Sequence, residues 1–398
     1  MKRSRDDKLK RARRARKTAL VCAGGGVTGA IYEMGCLRAL EELLDRSVLD
    51  FDLYVGVSGG AFVASLLANG VTPCEMYEEA TAHTSRPLGV SDAPLFRVDA
   101  GEFLKRSRQA PRVLSEAVVT TLTGEGRNWS DLALSLFELL PAGLLDNSGI
   151  AEYLANLAAA RGHSDSFAEL SRELYIVAVD LDDGEAVPFG EPAHRDVPIS
   201  KAVQASTALP GLYRPVRIGD HDFVDGGVKK TAHINLAIRH GADLIVCLNP
   251  IVPILNHAGG PLKVPLAEKG IAYVLDQVLR IMLHGRMLYG MERYEAEHPE
   301  VDILLLEPSR HDMRMFSYNI MRYSARRVVA EHGYRSALAS FNARRQEYAA
   351  LLRRHGIELA DPSRVPERPA PSPYRSPFAR RLGGSLDCLD HHLRRRRA

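Results

Sequence analysis

The chain has 398 residues, 45% of them hydrophobic and 25% charged, with a net charge of +3. Such a chain can build one large domain or two ordinary ones without disulfides or metals, and no run approaches the roughly 18 apolar residues of a membrane span. Five cysteines, Cys22, Cys36, Cys74, Cys247 and Cys388, are odd in number and form no C-x-x-C pair, which excludes the usual zinc and disulfide frameworks.

The charge is unevenly placed. Residues 1–17 carry ten Lys/Arg against two Asp, and residues 375–398 carry seven Arg against two Asp, so an acidic body has two basic arms. The body offers no basic groove, so nucleic acid is not expected as a partner. After the first arm, only Ala19–Ala23 form an apolar run before three glycines, too short for a secretory h-region. The expectation is a cytoplasmic protein, or one exported without such a leader.

The first arm has no apolar periodicity and reads as disordered or a frayed helix. Thr18–Ala23 then reads as a buried strand, followed by a glycine loop and a helix to about Leu44 whose Ile31, Met34, Leu37, Leu40 and Leu44 share one face. Phe51–Val57 reads as a second buried strand, with an apolar helix to Ala68 after it. Residues 85–145, with the only Trp, are less regular. Asn147 suits the cap of a helix to Arg161. Leu174–Leu181 and Glu185–Phe189 read as strands joined by a turn at Asp183-Gly184, Val197–Ala208 as a helix, and Val216–Val224 as a strand pair turning near Gly219-Asp220. Leu244–Leu248 and Ile303–Leu306 read as buried strands. Helices are expected over 267–294 and 319–354, and Met282, Met287 and Met291 in the first of them as core packing. A proline-rich linker at 362–377 leads to the Arg-rich tail. Strands alternating with helices predict an α/β fold around a mainly parallel sheet.

Three motifs carry chemistry. Gly24-Gly25-Gly26-Val27-Thr28-Gly29 follows a strand and opens a helix, so its N–H groups and the helix dipole suit a dinucleotide pyrophosphate, an oxyanion, or nothing beyond a tight turn. Gly56-Val57-Ser58-Gly59-Gly60 is a G-x-S-x-G sequence between strand and helix, the context of a nucleophile elbow at Ser58. A dinucleotide fold wants an acid at the end of the second strand, and this chain has a serine there. Asp225-Gly226-Gly227, after an apolar strand, reads by itself as a type I′ hairpin turn.

Together, and in this order, the three motifs resemble those of the patatin-like phospholipases. Ala205-Ser206-Thr207-Ala208-Leu209-Pro210 and Arg214-Pro215-Val216 are similar to that family's approach to its aspartate, and the resemblance spans about Thr18–Arg239. It implies a three-layer α/β/α fold and hydrolysis of lipid acyl esters without cofactor or metal. It also implies a dyad of nucleophile Ser58 and proton acceptor Asp225, with an oxyanion loop of Gly24, Gly25, Gly26 and Gly29 and support from Gly56, Gly59, Gly60, Gly226 and Gly227. The implied domains are a basic arm at 1–17, a catalytic domain at 18–355 with a helical part at 267–355, and a linker with tail at 356–398. A lipid or other acyl ester is the expected partner, with an anionic membrane surface reached through the basic arms. Two departures stand out: Thr28 occupies a position where the family often has Arg or Lys, and Thr231-Ala232-His233 stands where it commonly shows Asn-x-Pro. An acyltransferase, or a non-catalytic lipid-binding or scaffold protein, is the alternative. Among fourteen histidines, His221 is expected to be exposed in its hairpin and His233 to cap or pack near the next helix.

Overall fold

The computed structural model describes residues 16–81, 97–98, 142–256, 264–309 and 325–360. Residues 1–15 of the basic arm, residues 361–398 of the linker and tail, and most of 85–145 lie outside them. The centre is a sheet whose strands in chain order are β1 (Thr18–Cys22), β2 (Leu53–Val57), β3 (Glu173–Asp180), β4 (Ala186–Phe189), β5 (Val216–Ile218), β6 (His221–Asp225), β7 (Leu244–Leu248) and β8 (Asp302–Leu306). The order is β8-β7-β1-β2-β3-β6-β5, with β4 also on β3. Pairings among β8, β7, β1, β2 and β3 are parallel, and those of β4, β5 and β6 antiparallel.

The parallel strands are near-continuous apolar runs because both faces are covered. Their period of two sorts side chains into two cores. Leu20, Cys22, Tyr54 and Ile176 pack under α1 (Gly26–Leu43), α2 (Gly59–Ala68), α3 (Pro73–Thr81), α4 (Ser148–Ala160) and α5 (Ile199–Ser206). Ala19, Val21, Leu53 and Val55 pack against α6 (Ile234–Arg239) and α7 (Ile271–Glu297). These are the three α/β/α layers that the family resemblance implies, around the mainly parallel sheet that the alternating pattern predicts. Turns form where Gly184 and Gly219 take φ of 67° and 58°.

The helix expected over 319–354 is two in its described part, α8 (Arg326–Ala343) and α9 (Arg345–Arg353). Across the break at Arg344, Phe341, Tyr348 and Leu352 all bury on one core, the first two rings edge-on at 4.9 Å. α1 and α8 cross at closest approach through Gly35 and Gly333. A Cβ on Gly35 would lie 2.0 Å from the Ala330 carbonyl oxygen, and one on Gly333 2.1 Å from that of Tyr32. Asn147 does precede α4, but its side chain makes no cap bond. The Asp146 carboxylate accepts the Ser148 N–H at 2.9 Å, while Asn147 Nδ2 donates to the Gln204 carbonyl at 2.8 Å and so ties α4 to α5.

Candidate active site

Ser58 sits at the corner between β2 and α2 with φ 53° and ψ −127°, the only non-glycine residue of positive φ among the described residues. Such backbone costs on the order of 1–3 kcal/mol and persists only where its surroundings enforce it. Here they do so through contact. A Cβ on Gly56 would lie 2.5 Å from Ala61 Cα, and one on Gly60 2.3 Å from the Cys22 carbonyl oxygen, so α2 presses against the sheet. The buried Ser206 hydroxyl accepts the Ser58 N–H at 2.9 Å and donates to the Val177 carbonyl at 2.6 Å.

Strand register brings Asp225 to this corner. β4 occupies one edge of β3 from Ile176 to Val179. β2 pairs with Glu173–Val177 and β6 with Ala178–Asp180, so both take the opposite edge. β2 runs parallel to β3 and ends at Val57 opposite Val177; β6 runs antiparallel and ends at Asp225 opposite Ala178. The two strands therefore meet head-on, and Ser58 and Asp225 are the residues at the meeting point. The type I′ reading of Asp225-Gly226 does not hold, because neither Gly226 nor Gly227 has positive φ. A 3-10 turn follows instead, in which the Gly227 N–H donates to Asp225 Oδ1 at 2.8 Å.

Both side chains are buried, Ser58 at 8% and Asp225 at 3% exposure. Burial pushes the Asp225 carboxyl up to about 6, although the Ser58 hydroxyl and the Gly227 N–H both donate to it and favour the anion.

The glycine loop closes the other side. A Cβ on Gly24 would lie 3.3 Å from Ser58 Cβ, and one on Gly59 2.3 Å from the Gly26 carbonyl oxygen, so the N-termini of α1 and α2 converge on the serine. Gly25 needs no side chain because Pro250 Cγ lies 2.4 Å from where its Cβ would be, and Gly26 has φ 60°. The four glycines of the loop are not equivalent. Gly24 N–H donates to the Thr231 carbonyl and Gly29 N–H to the Gly25 carbonyl, both at 2.9 Å. Among the described residues, the N–H groups of Gly25, Gly26 and Gly59 have no such partner. Two helix N-termini, with unpaired donors and positive dipole ends, thus meet beside Ser58.

These residues form one end of a cavity of about 380 Å³. Its walls are mostly apolar, with Val27, Ile31, Phe62, Leu66 and Tyr153 on one side and Leu279, Met282 and Leu283 of α7 on the other. Met282 is therefore a cavity residue, while Met287 packs in the core as expected. His221 lies four residues up β6 from Asp225, about 13 Å at a strand's rise, and its exposed ring pairs with Asp180 at 2.7 Å. His233 is buried before α6, held neutral by burial that pulls it down to about 4.

Sequence reasoning assigned no role to two residues that shape the site. Ser206 is one; in the sequence it is only a small polar residue at the end of a helix, beside Gln204 and Thr207, with nothing that points to Ser58. The other is Thr231. Its carbonyl holds the glycine loop and its hydroxyl donates to the Leu283 carbonyl of α7 at 3.0 Å, so the segment that replaces Asn-x-Pro ties loop to cavity wall.

The family model for the patatin-like phospholipases matches residues 20–238, more than half of the chain. The probable lipid hydrolase 463L of Invertebrate iridescent virus 6 is 20% identical over 56% of this chain and 63% of its own length. The uncharacterized protein YqhO of Bacillus subtilis is 24% identical over 52% and 62%. The chain thus spans less than two thirds of these curated relatives. The crystal structure of VipD from Legionella pneumophila aligns with 87% of this chain and 68% of its own, at 16% identity and a TM-score of 0.37. From the match over strands β1 to β6 and the three motifs on them, the chain belongs to the patatin-like phospholipase family.

Proposed function

We propose that this chain is a serine lipid acyl hydrolase in which residues 18–355 act as one catalytic domain. The observation that supports it is the meeting of Ser58 and the buried Asp225 carboxylate where β2 and β6 end, on the wall of an apolar cavity. A serine hydroxyl is a poor nucleophile until a base takes its proton. Asp225, lifted toward neutral pH, is a better base than a free carboxylate and remains ionised at pH 7. It takes the Oγ proton as Oγ attacks the ester carbonyl carbon. The carbonyl oxygen becomes an oxyanion, held by the N–H groups of Gly25, Gly26 and Gly59. Collapse expels the alcohol, which takes the proton from Asp225 and leaves the acyl group on Ser58. Water then attacks the acyl-enzyme, gives a proton to Asp225, and frees acid and serine. A cavity of this size and apolar lining suits an acyl chain. The basic arms add a salt-sensitive attraction to anionic surfaces.

A fluorophosphonate probe tests the reading. It is expected to label the protein at Ser58 alone, and Ser58→Ala is expected to lose both the label and turnover of a nitrophenyl ester. Labelling that persists in the variant sinks the assignment.

A second outcome bears on Ser206. Ser206→Ala strips the hydroxyl that holds the elbow, leaving the Ser58 N–H and the Val177 carbonyl unpaired. Two buried groups at roughly 1–3 kcal/mol each predict a measurable drop in melting temperature. Turnover is expected to fall by roughly 10–100-fold, mostly in kcat, through a displaced Oγ. Ser206→Thr, which keeps the hydroxyl, should recover part of it.

A further inference from the structure

Helix α7 is amphipathic in the unusual sense: the side it turns away from the protein is apolar. Ile271, Leu275, Val278, Met282 and Tyr289 recur along one face and are exposed at 75%, 60%, 45%, 51% and 71%. Arg280, Leu283, His284 and Met287 occupy the opposite face and are buried. Of thirteen exposed large hydrophobics among the described residues, nine lie on this helix. Monomeric proteins rarely tolerate such a concentration without a use for it.

What covers this face follows from where it leads. Leu279 and Met282 belong both to the exposed face and to the wall of the cavity that holds Ser58, so an apolar path runs from outside the protein to the nucleophile. The face is also poor in charge. Between Ile271 and Met291 the helix carries Asp276, Arg280 and Arg286, and the first two pair with each other at 2.8 Å. Arg286 remains, exposed on the cavity wall, with Nη1 donating to the Val228 carbonyl at 2.7 Å and no carboxylate partner among the described residues. A guanidinium beside an apolar face matches a phosphate beside acyl chains. No described helix is long and apolar enough to cross a membrane, so α7 suits lying in an interface.

We propose that the outward face of α7 is a lipid-docking surface, which rests in the headgroup–acyl boundary of a phospholipid bilayer and passes the substrate along Leu279 and Met282 into the cavity. This rests on the lipid-hydrolase reading, and binding and turnover are measured separately to keep the two apart. Full-length Ser58→Ala protein is sedimented with neutral phosphatidylcholine vesicles at low and high salt. Association is expected at both, since apolar insertion is not screened, and Leu275→Gln with Ile271→Gln should weaken it roughly tenfold or more. With Ser58 restored, that pair lies outside the cavity and should leave soluble-ester turnover unchanged while hydrolysis of vesicle lipid falls with binding. Val278→Gln with Tyr289→Gln stands in if the first pair does not fold. Absence of neutral-vesicle binding by the unsubstituted chain, or unchanged binding in both pairs, overturns the proposal. So does light scattering that shows the substitutions splitting a dimer while vesicle binding persists. Vesicle binding without soluble-ester turnover would instead count against the hydrolase reading and leave the docking face standing.

Discussion

Asp225→Asn is expected to lower turnover of a soluble ester by roughly 10³–10⁴-fold and, at the same time, to stabilise the fold. The loss follows because an amide accepts no proton from Ser58. The gain follows from burial. In the folded chain the Asp225 carboxyl ionises at about 6, against an ordinary 3.8. Below about pH 4 the carboxyl is protonated both folded and unfolded and imposes no penalty. Between about pH 4 and 6 the folded state holds a proton that the unfolded state has released, so stability declines as pH rises. Above about 6 the penalty is constant at about 3 kcal/mol, and the asparagine variant escapes it. Urea midpoints of both proteins should therefore diverge from about pH 4 upward and run parallel above 6. Turnover by the unsubstituted protein should rise with pH through about 6 as Asp225 ionises, then level off. His221→Ala, which removes an exposed ring paired with Asp180, should retain near-normal turnover. Near-normal activity in Asp225→Asn, or collapse in folded His221→Ala, would overturn the dyad.

Gly35→Ala is expected to cost at least about 3 kcal/mol of stability, the upper end for inserting one methyl into a packed core. The methyl would meet the Ala330 carbonyl oxygen at 2.0 Å and the Tyr334 nitrogen at 2.7 Å. Neither is the end of a flexible side chain, so α1 and α8 must separate. Because α1 carries the glycine loop at its N-terminus, turnover should fall along with stability. Gly162→Ala offers a contrast: its Cβ meets nothing within 4 Å, and only its φ of 69° opposes the change, at about 1–2 kcal/mol. Urea unfolding of the two variants separates a packing requirement from a backbone one. Similar midpoints would mean that the helices part more freely than their contact suggests.

The sequence made the site legible where local pattern dictates local structure. A buried apolar run followed by glycines can do little but turn into a helix, so β1 to α1 and β2 to α2 were placed to within a residue or two. Ser58 and the glycines came with them. Asp225 was legible as the end of a strand, but Asp-Gly alone favoured a hairpin turn; what made it otherwise is register across β3, which no local window contains. Ser206 and Thr231 escaped for the same reason, since their partners are far away in the chain. The break at Arg344 escaped because burial of Tyr348, not any Gly or Pro, decides it. For α7, periodicity marks an apolar face but not which side the rest of the chain covers, so Met282 read as core.

The head-on meeting of β2 and β6 also bears on when the protein becomes reactive. The parallel ladder from β1 to β3 must close over long loops, which makes it slow to assemble, and the β5–β6 hairpin must then find the remaining stretch of the same β3 edge. Until both have docked, Ser58 and Asp225 lie apart, and the hydroxyl that fixes the Ser58 backbone comes from 148 residues away. With Asp225 as the proposed base, a nascent or half-unfolded chain therefore holds an inert serine. On the proposed lipid acyl hydrolase reading, this topology is a safety catch: an acyl ester meets a working serine only in molecules that have completed their sheet.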